Sequence, residues 1–166
     1  NIFFFELWPL TIDHNMTIDD LKEILLKENH TIVIYKNDAS VFISKDRGVV
    51  PLMKLLQEDK SQLIDSIVVD KVIGKAAALL MAFAGVKEVF TPTISSPAIE
   101  VLKNHDIKIT FDNEVDRIIN RKGDGLCPME TLCLDIDNPE EAFLRISVFQ
   151  GIGNRGIESW QLTIDN

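Results

Sequence analysis

The sequence predicts an α/β fold in which a mixed sheet lies between helices in three layers, α-β-α. Two patterns carry that prediction. Between Val69 and Phe111 helical and strand-like segments alternate, which implies parallel neighbours in a helix-covered sheet. Before them, two β-branched runs flank a turn-forming stretch and read as an antiparallel hairpin. With 166 residues and 46% apolar composition, the chain can bury one good core. A single domain is expected over residues 15–148, with terminal extensions at 1–14 and 149–166.

Ile2 to Leu10 is apolar and reads as a strand or as a sticky terminal extension. Thr17 opens a helix, with Asp20 in the reciprocal position of a capping box and Ile18, Leu21, Ile24 and Leu25 as its apolar stripe. Thr31 to Tyr35 and Val41 to Ser44 are the hairpin strands, and KNDAS between them is turn chemistry. Pro51 suits the start of the next helix, which runs through Leu52, Leu55 and Leu56. Gln62 to Val69 fits either a short strand or the approach to a central helix. That helix is expected over Val69 to Phe83, capped by Asp70, because Val72, Ile73, Ala76, Leu79, Leu80 and Phe83 recur at helical spacing. Gly85 is its natural C-cap.

Val86 to Pro92 reads as a buried strand, Pro97 to Asn104 as a helix introduced by Ser95 or Ser96, and Ile107 to Phe111 as the next strand. Glu114 to Ile119 is expected to form a short helix. A dense polar segment then runs from Asn120 to Glu130. Asn138 caps the last helix, with Pro139 at its first position. Beyond Val148 the chain is broken by glycines.

The balance of 17 basic against 26 acidic residues gives a net charge of -9. A surface so acidic repels phosphate backbones and anionic lipid, which argues against broad nucleic-acid or membrane binding. A basic patch inside a cleft is compatible with it. No stretch approaches the roughly 20 apolar residues of a spanning helix, and the apolar N-terminal run has no basic segment before it. Cys127 and Cys133 are too few for a disulfide framework, and six apart on one helix they would point in different directions. A reducing cytoplasm is the natural setting.

Two groups of residues suggest chemistry. Lys71 and Lys75 lie four apart at the start of the expected central helix, beside Asp70. Cations at a helix N-terminus suit an anion site; the plainer alternative is a solvated face. Gly74 weakens a helix by roughly 1 kcal/mol relative to Ala, which points to a close backbone approach. The second group is Asn120 to Glu130, where Gly123 and Gly125 let the backbone turn sharply. Pro128 fits the first turn of a helix, so Cys127 would be its N-cap and Glu130 the reciprocal capping residue. With Arg121 and Lys122 near it, Cys127 reads as a reactive or ligand-contacting thiolate, or as a small half-buried cap. The segment as a whole suits an anionic group, but its lone G-x-G is no dinucleotide fingerprint. His14, His30 and His105 are scattered, without metal-ligand spacing, and read as structural or surface residues. Asp135, Asp137, Glu140 and Glu141 read as a loop followed by favourable charges in a helix's first turn.

Four motifs in order, DRGVVPL (Asp46 to Leu52), VVDKVIGKAAALL (Val68 to Leu80), ISSPAIEVL (Ile94 to Leu102) and NRKGDGLCPMETL (Asn120 to Leu132), make the chain similar to a small bacterial and archaeal family of unknown function. That family is assigned to the cytidine-deaminase-like superfamily. The resemblance covers about the middle two-thirds of the chain. It implies a mixed sheet between helices, in agreement with the reading above. Zinc deaminases place a His or Cys and a catalytic Glu at one helix start, and P-C-x-x-C at the next. Here those positions fall near Val72 and Gly74, and near Ser95 and Ala98, none of which replaces a zinc ligand or a proton-shuttling Glu. The resemblance therefore carries the fold and not zinc-dependent deamination.

The function expected is binding of a small anionic or nucleotide-like molecule in the cleft, without metal or cofactor. Lys71 and Lys75 would hold the anion beside Asp70, Ser95 and Ser96 would donate hydrogen bonds, and Asn120, Arg121, Gly123 and Gly125 would close over it. One alternative is an enzyme with Cys127 as nucleophile or sulfur carrier and Glu130 or Lys75 as its proton-transfer partner. Another is a non-catalytic homo-oligomer, for which the apolar N-terminal run speaks.

Overall fold

The computed structural model describes residues 16–36 and 41–151. The expectations for the N-terminal run, His14, the turn at 37–40 and the glycine-broken segment after Gly151 lie outside the described residues.

The first elements follow from local chemistry. Helix α1 (Ile18–Leu26) carries the capping box: Asp20 N donates to Thr17 Oγ1 at 3.3 Å, and Thr17 N donates to Asp20 Oδ2 at 2.8 Å. Strands β1 (Ile32–Tyr35) and β2 (Val41–Ser44) pair antiparallel, with Ile32 opposite Ser44. Helix α2 (Val50–Glu58) starts on Pro51.

The centre of the chain departs from the helix expected over Val69 to Phe83. Ile67–Asp70 is strand β3 and Val72–Ile73 is strand β4; helix α3 begins only at Lys75 and runs to Ala84. The four β-branched residues Val68, Val69, Val72 and Ile73 prefer a pleated surface, and sheet pairing overrides their coincidental helical spacing. Asp70 is therefore a strand residue rather than a helix cap, and Lys71 lies in the link between two strands. Gly74 is the N-cap, and Gly85 closes the helix at φ +77°.

Strand β5 (Glu88–Ser95), helix α4 (Ser96–Asn104) and strand β6 (Lys108–Val115) complete the alternation. The short helix expected over Glu114 to Ile119 does not form. Parallel pairing with β5 continues to Ser95 opposite Val115, so the sheet claims that backbone. Helices α5 (Pro128–Leu132) and α6 (Pro139–Phe149) follow, the latter capped by Asn138 Oδ1 accepting from Glu141 N at 3.0 Å.

The six strands form one mixed sheet: β1 is antiparallel to β2 and β3, while β3, β4 and β6 run parallel to β5. Thr93 pairs with Val72 on one side and Asn113 on the other, and Phe90 pairs likewise with Val69 and Thr110. Strands β3 and β4 thus share one flank of β5. They keep one register, Ile67 to Glu88 and Val72 to Thr93, and form a single strand interrupted at Asp70 and Lys71. Val68 and Ile73 face the same core although they stand five positions apart, an odd offset, so the interruption resets the alternation.

The larger core joins α2, α3, α4 and α6 to one sheet face through Ile34, Val68 and Val89. Leu21 and Leu25 of α1 pack on the other face against Val33, Val69 and Phe90. That gives the three layers. Both cysteines are free thiols, and burial pushes Cys133 up to about 11. Among the described residues no helix is long and apolar enough to cross a membrane.

Candidate functional site

Where β3 gives way to β4, β1 has run out: Lys71 N makes one last bond, to Thr31 O at 3.1 Å. The sheet opens there, at the carboxyl end of a parallel strand, which is where crevices form in α/β sheets. A cavity of about 800 Å³ occupies the opening. Residues around Asp70, the first turn of α3, the loop 118–127, α5 and the segment Arg47–Val49 wall it.

Its inner end is acidic. Glu130, from α5, is 1% exposed. Its Oε1 accepts from Lys75 N at 3.2 Å, so the carboxylate satisfies an orphan amide at the N-terminus of α3 and meets the positive end of that helix. Its Oε2 has no hydrogen-bond partner among the described residues. Gly74 makes room for it: a Cβ there would lie 2.6 Å from Oε1 and 3.1 Å from Ile118 Cγ1. The glycine is required by space, since its φ of -96° is ordinary. Asp70 is also buried, and its Oδ1 accepts from Val72 N at 3.3 Å. Desolvation outweighs that bond and lifts the Asp70 carboxyl to about 7.

The rim is basic. Arg47, Arg121 and Lys122 are exposed and Lys71 is half-buried. Lys71 Nζ donates to the neutral Asn29 Oδ1 at 2.6 Å, and none of the four cations forms an ion pair among the described residues. Arg121 and Lys122 sit at the tip of a loop that the chain braces internally. Ile119 bridges Leu126, Asn120 N donates to Gly125 O at 2.8 Å, and Asn120 Nδ2 donates to Asp124 Oδ1 at 2.8 Å. Gly123 turns this loop at φ +73°.

Of the residues singled out in the sequence, Asp70, Lys71, Asn120, Arg121, Cys127 and Glu130 line the cavity. Gly123 and Gly125 shape the loop without lining it. Lys75 turns away: its Nζ donates to Asp137 Oδ1 at 3.1 Å and to Leu134 O at 3.0 Å, joining α3 to the loop before α6. Ser95 and Ser96 lie outside the lining too. Ser95 Oγ is buried without a partner among the described residues, and Ser96 Oγ donates to Glu114 Oε1 at 2.8 Å. Cys127 is half-buried and precedes α5 without capping it through its side chain; Glu130, expected to cap α5 in return, caps α3 instead. Sequence reasoning missed Arg47, Met129 and Gln150 as wall residues. Arg47 stood within the DRGVVPL motif and was the one with a signal.

The two described histidines, His30 and His105, are held by backbone carbonyls. His30 is buried with Nδ1 2.9 Å from Ile24 O, and His105 Nδ1 lies 2.8 Å from Val101 O. Asp135 and Glu141 hold Arg145, and Asp137 holds Lys75. Among the described residues no three His, Cys, Asp or Glu side chains converge as a metal-ligating group.

The molecule is thus a mixed α/β protein with a cavity at the open end of its sheet, acidic within and basic at the mouth. The profile of a domain of unknown function, DUF1893 (TM1506), matches residues 20–149, and the chain belongs to that family. Its structure is similar to the crystal structure of a DUF1893 family protein, TM1506, from Thermotoga maritima: 27% identity over 85% of this chain and 97% of that one, with a TM-score of 0.68. No curated protein matches the sequence.

Proposed function

We propose that the protein binds a small anionic, nucleotide-like molecule in this cavity, on a scaffold of the cytidine-deaminase-like kind. The observation that carries the reading is the group of four cations, Arg47, Lys71, Arg121 and Lys122, without ion-pair partners among the described residues, around one concave site of a chain with net charge -9. Arginine forks and lysine ammoniums at an otherwise acidic surface focus a phosphate or carboxylate toward the opening. The apolar walls, among them Val49, Ile118 and Met129, suit the body of a base or sugar.

A thermal-shift screen of nucleoside 5′-monophosphates and sugar phosphates tests it. A ligand at a hundredfold over its dissociation constant stabilises by about 2.7 kcal/mol, which is readily measured. The shift is lost or strongly reduced in Arg121→Ala/Lys122→Ala. A screen without stabilisation, or shifts indifferent to that double substitution, overturns the reading.

A second reading has one observation in its favour: the half-buried Cys127 lines the same cavity, three positions before Glu130. A nucleophilic thiol there would be alkylated at a rate that saturating ligand suppresses. An alkylation rate unaffected by ligand, following the reference thiol pKa of about 8.5, excludes it.

A further inference from the structure

We propose that the protein forms a twofold-symmetric dimer through strand β6, with Lys108 to Asp112 of two copies paired antiparallel about Thr110. The proposal is independent of the cavity, because none of these residues lines it.

Strand β6 ends the sheet. It pairs with β5 alone, and every residue in it except Ile109 and Val115 is exposed. A strand edge carries a row of backbone donors and acceptors that another chain can meet. Lys108 N donates to Lys87 O at 3.2 Å, so in the parallel ladder Lys108 and Thr110 turn their backbone groups to β5. Ile109 and Phe111 turn theirs outward, where they meet no backbone partner among the described residues. The ladder skips Pro92 and Asp112, and there Thr93 N donates to Thr91 Oγ1 at 3.3 Å. The regular edge is therefore Lys108 to Asp112.

Charges on an edge strand ordinarily keep other chains away. Here their order fits a second copy. In KITFD, a twofold axis through Thr110 sets Lys108 opposite Asp112 at both ends, Ile109 opposite Phe111, and Thr110 opposite itself. The outward residues Ile109 and Phe111 then exchange their free N–H and C=O groups, as an antiparallel pair requires. Phe111, 37% exposed, gains an apolar neighbour on the face where Ile109 packs against the core. Lys108 Nζ lies 3.0 Å from Glu88 Oε1 and keeps further N–H donors for a second carboxylate. Asp112 has no ion pair among the described residues. An axis through Phe111 would set Asp112 against Thr110 and run past the regular edge. One through Asp112 would set two carboxylates against each other. Only the axis at Thr110 satisfies charge, apolar contact and backbone together.

Sedimentation velocity of the native protein from about 1 to 200 μM tests this, and a monomer–dimer equilibrium is expected within that range. Asp112→Lys sets lysine against lysine at both ends and should weaken dimerisation by about tenfold or more. Lys108→Asp/Asp112→Lys restores the match and should return the affinity to within about tenfold of the native value. Phe111→Pro removes one outward donor while sparing the bonds to β5, so it should be monomeric with its circular dichroism retained. A native protein that stays monomeric throughout overturns the proposal. A dimer indifferent to Asp112→Lys also overturns it and moves the contact elsewhere, the apolar N-terminal run included. So does a double variant that associates no better than Asp112→Lys.

Discussion

Gly74 and Glu130, distant in sequence, are complementary in space: the carboxylate of one fills the volume a side chain on the other would need, with Oε1 2.6 Å from the position of a Cβ. The same oxygen takes the first amide of α3. One contact therefore ties α5 to α3 and fixes the acidic end of the cavity.

Gly74→Ala forces Glu130 and Ile118 to shift, and should destabilise the protein by about 1–3 kcal/mol, the usual cost of overpacking. In a Glu130→Ala background the oxygen is gone, and the cost of Gly74→Ala should fall well below its value in the native background. Denaturant unfolding of the four proteins of the cycle reads the coupling. Equal costs in the two backgrounds would show that the glycine serves something other than the carboxylate.

Asp70 should make stability depend on pH in an unusual direction. Its folded-state value, about 7, lies above the roughly 3.9 of an unfolded Asp. Between about pH 4 and 7 the folded chain keeps a proton that the unfolded chain releases. The contribution of Asp70 to stability is thus fully present at low pH, falls as pH rises through that window, and levels off above 7. Asp70→Asn removes this term, so its gain over the native protein should grow from pH 4 to pH 7, reaching on the order of 1–4 kcal/mol. Melting curves across that range check it; a gain that shrinks with rising pH reverses the sign.

Lys75→Met should leave ligand affinity within about threefold and change stability by no more than about 2 kcal/mol, because the ammonium faces Asp137 and Leu134 O rather than the cavity. Titration of the variant with a nucleotide that binds the native protein decides. A loss of tenfold or more would place the lysine back among the groups that hold the anion.

Much of the fold could be read locally. Thr17 with Asp20, the paired β-branched runs, Pro51 and Asn138-Pro139 each act within a few residues, and each produces its element where expected. Val69 to Ile73 misled because its apolar spacing fits a helix, while pairing with β5, joined by β1 as far as Asp70, is a non-local fact that makes it strand. The site was legible in part for the same reason. Arg121, Asn120 and Cys127 stood in a loop whose glycines and proline announced it, and Asp70, Lys71 and Glu130 also line the cavity. The partners of Glu130 and Lys75 lie 55 and 62 positions away, where no spacing rule reaches. That is why the sequence suggested lysines receiving an anion at α3, and the structure has a glutamate already seated there.

Titration of the native protein with AMP and with adenosine, at about 50 and 200 mM salt, tests the binding reading with no variant at all. The arrangement of rim cations predicts that the monophosphate binds at least about tenfold tighter than the nucleoside at low salt, and that the difference narrows as salt screens the rim. Equal affinities at both salt concentrations, or binding of neither, would contradict it.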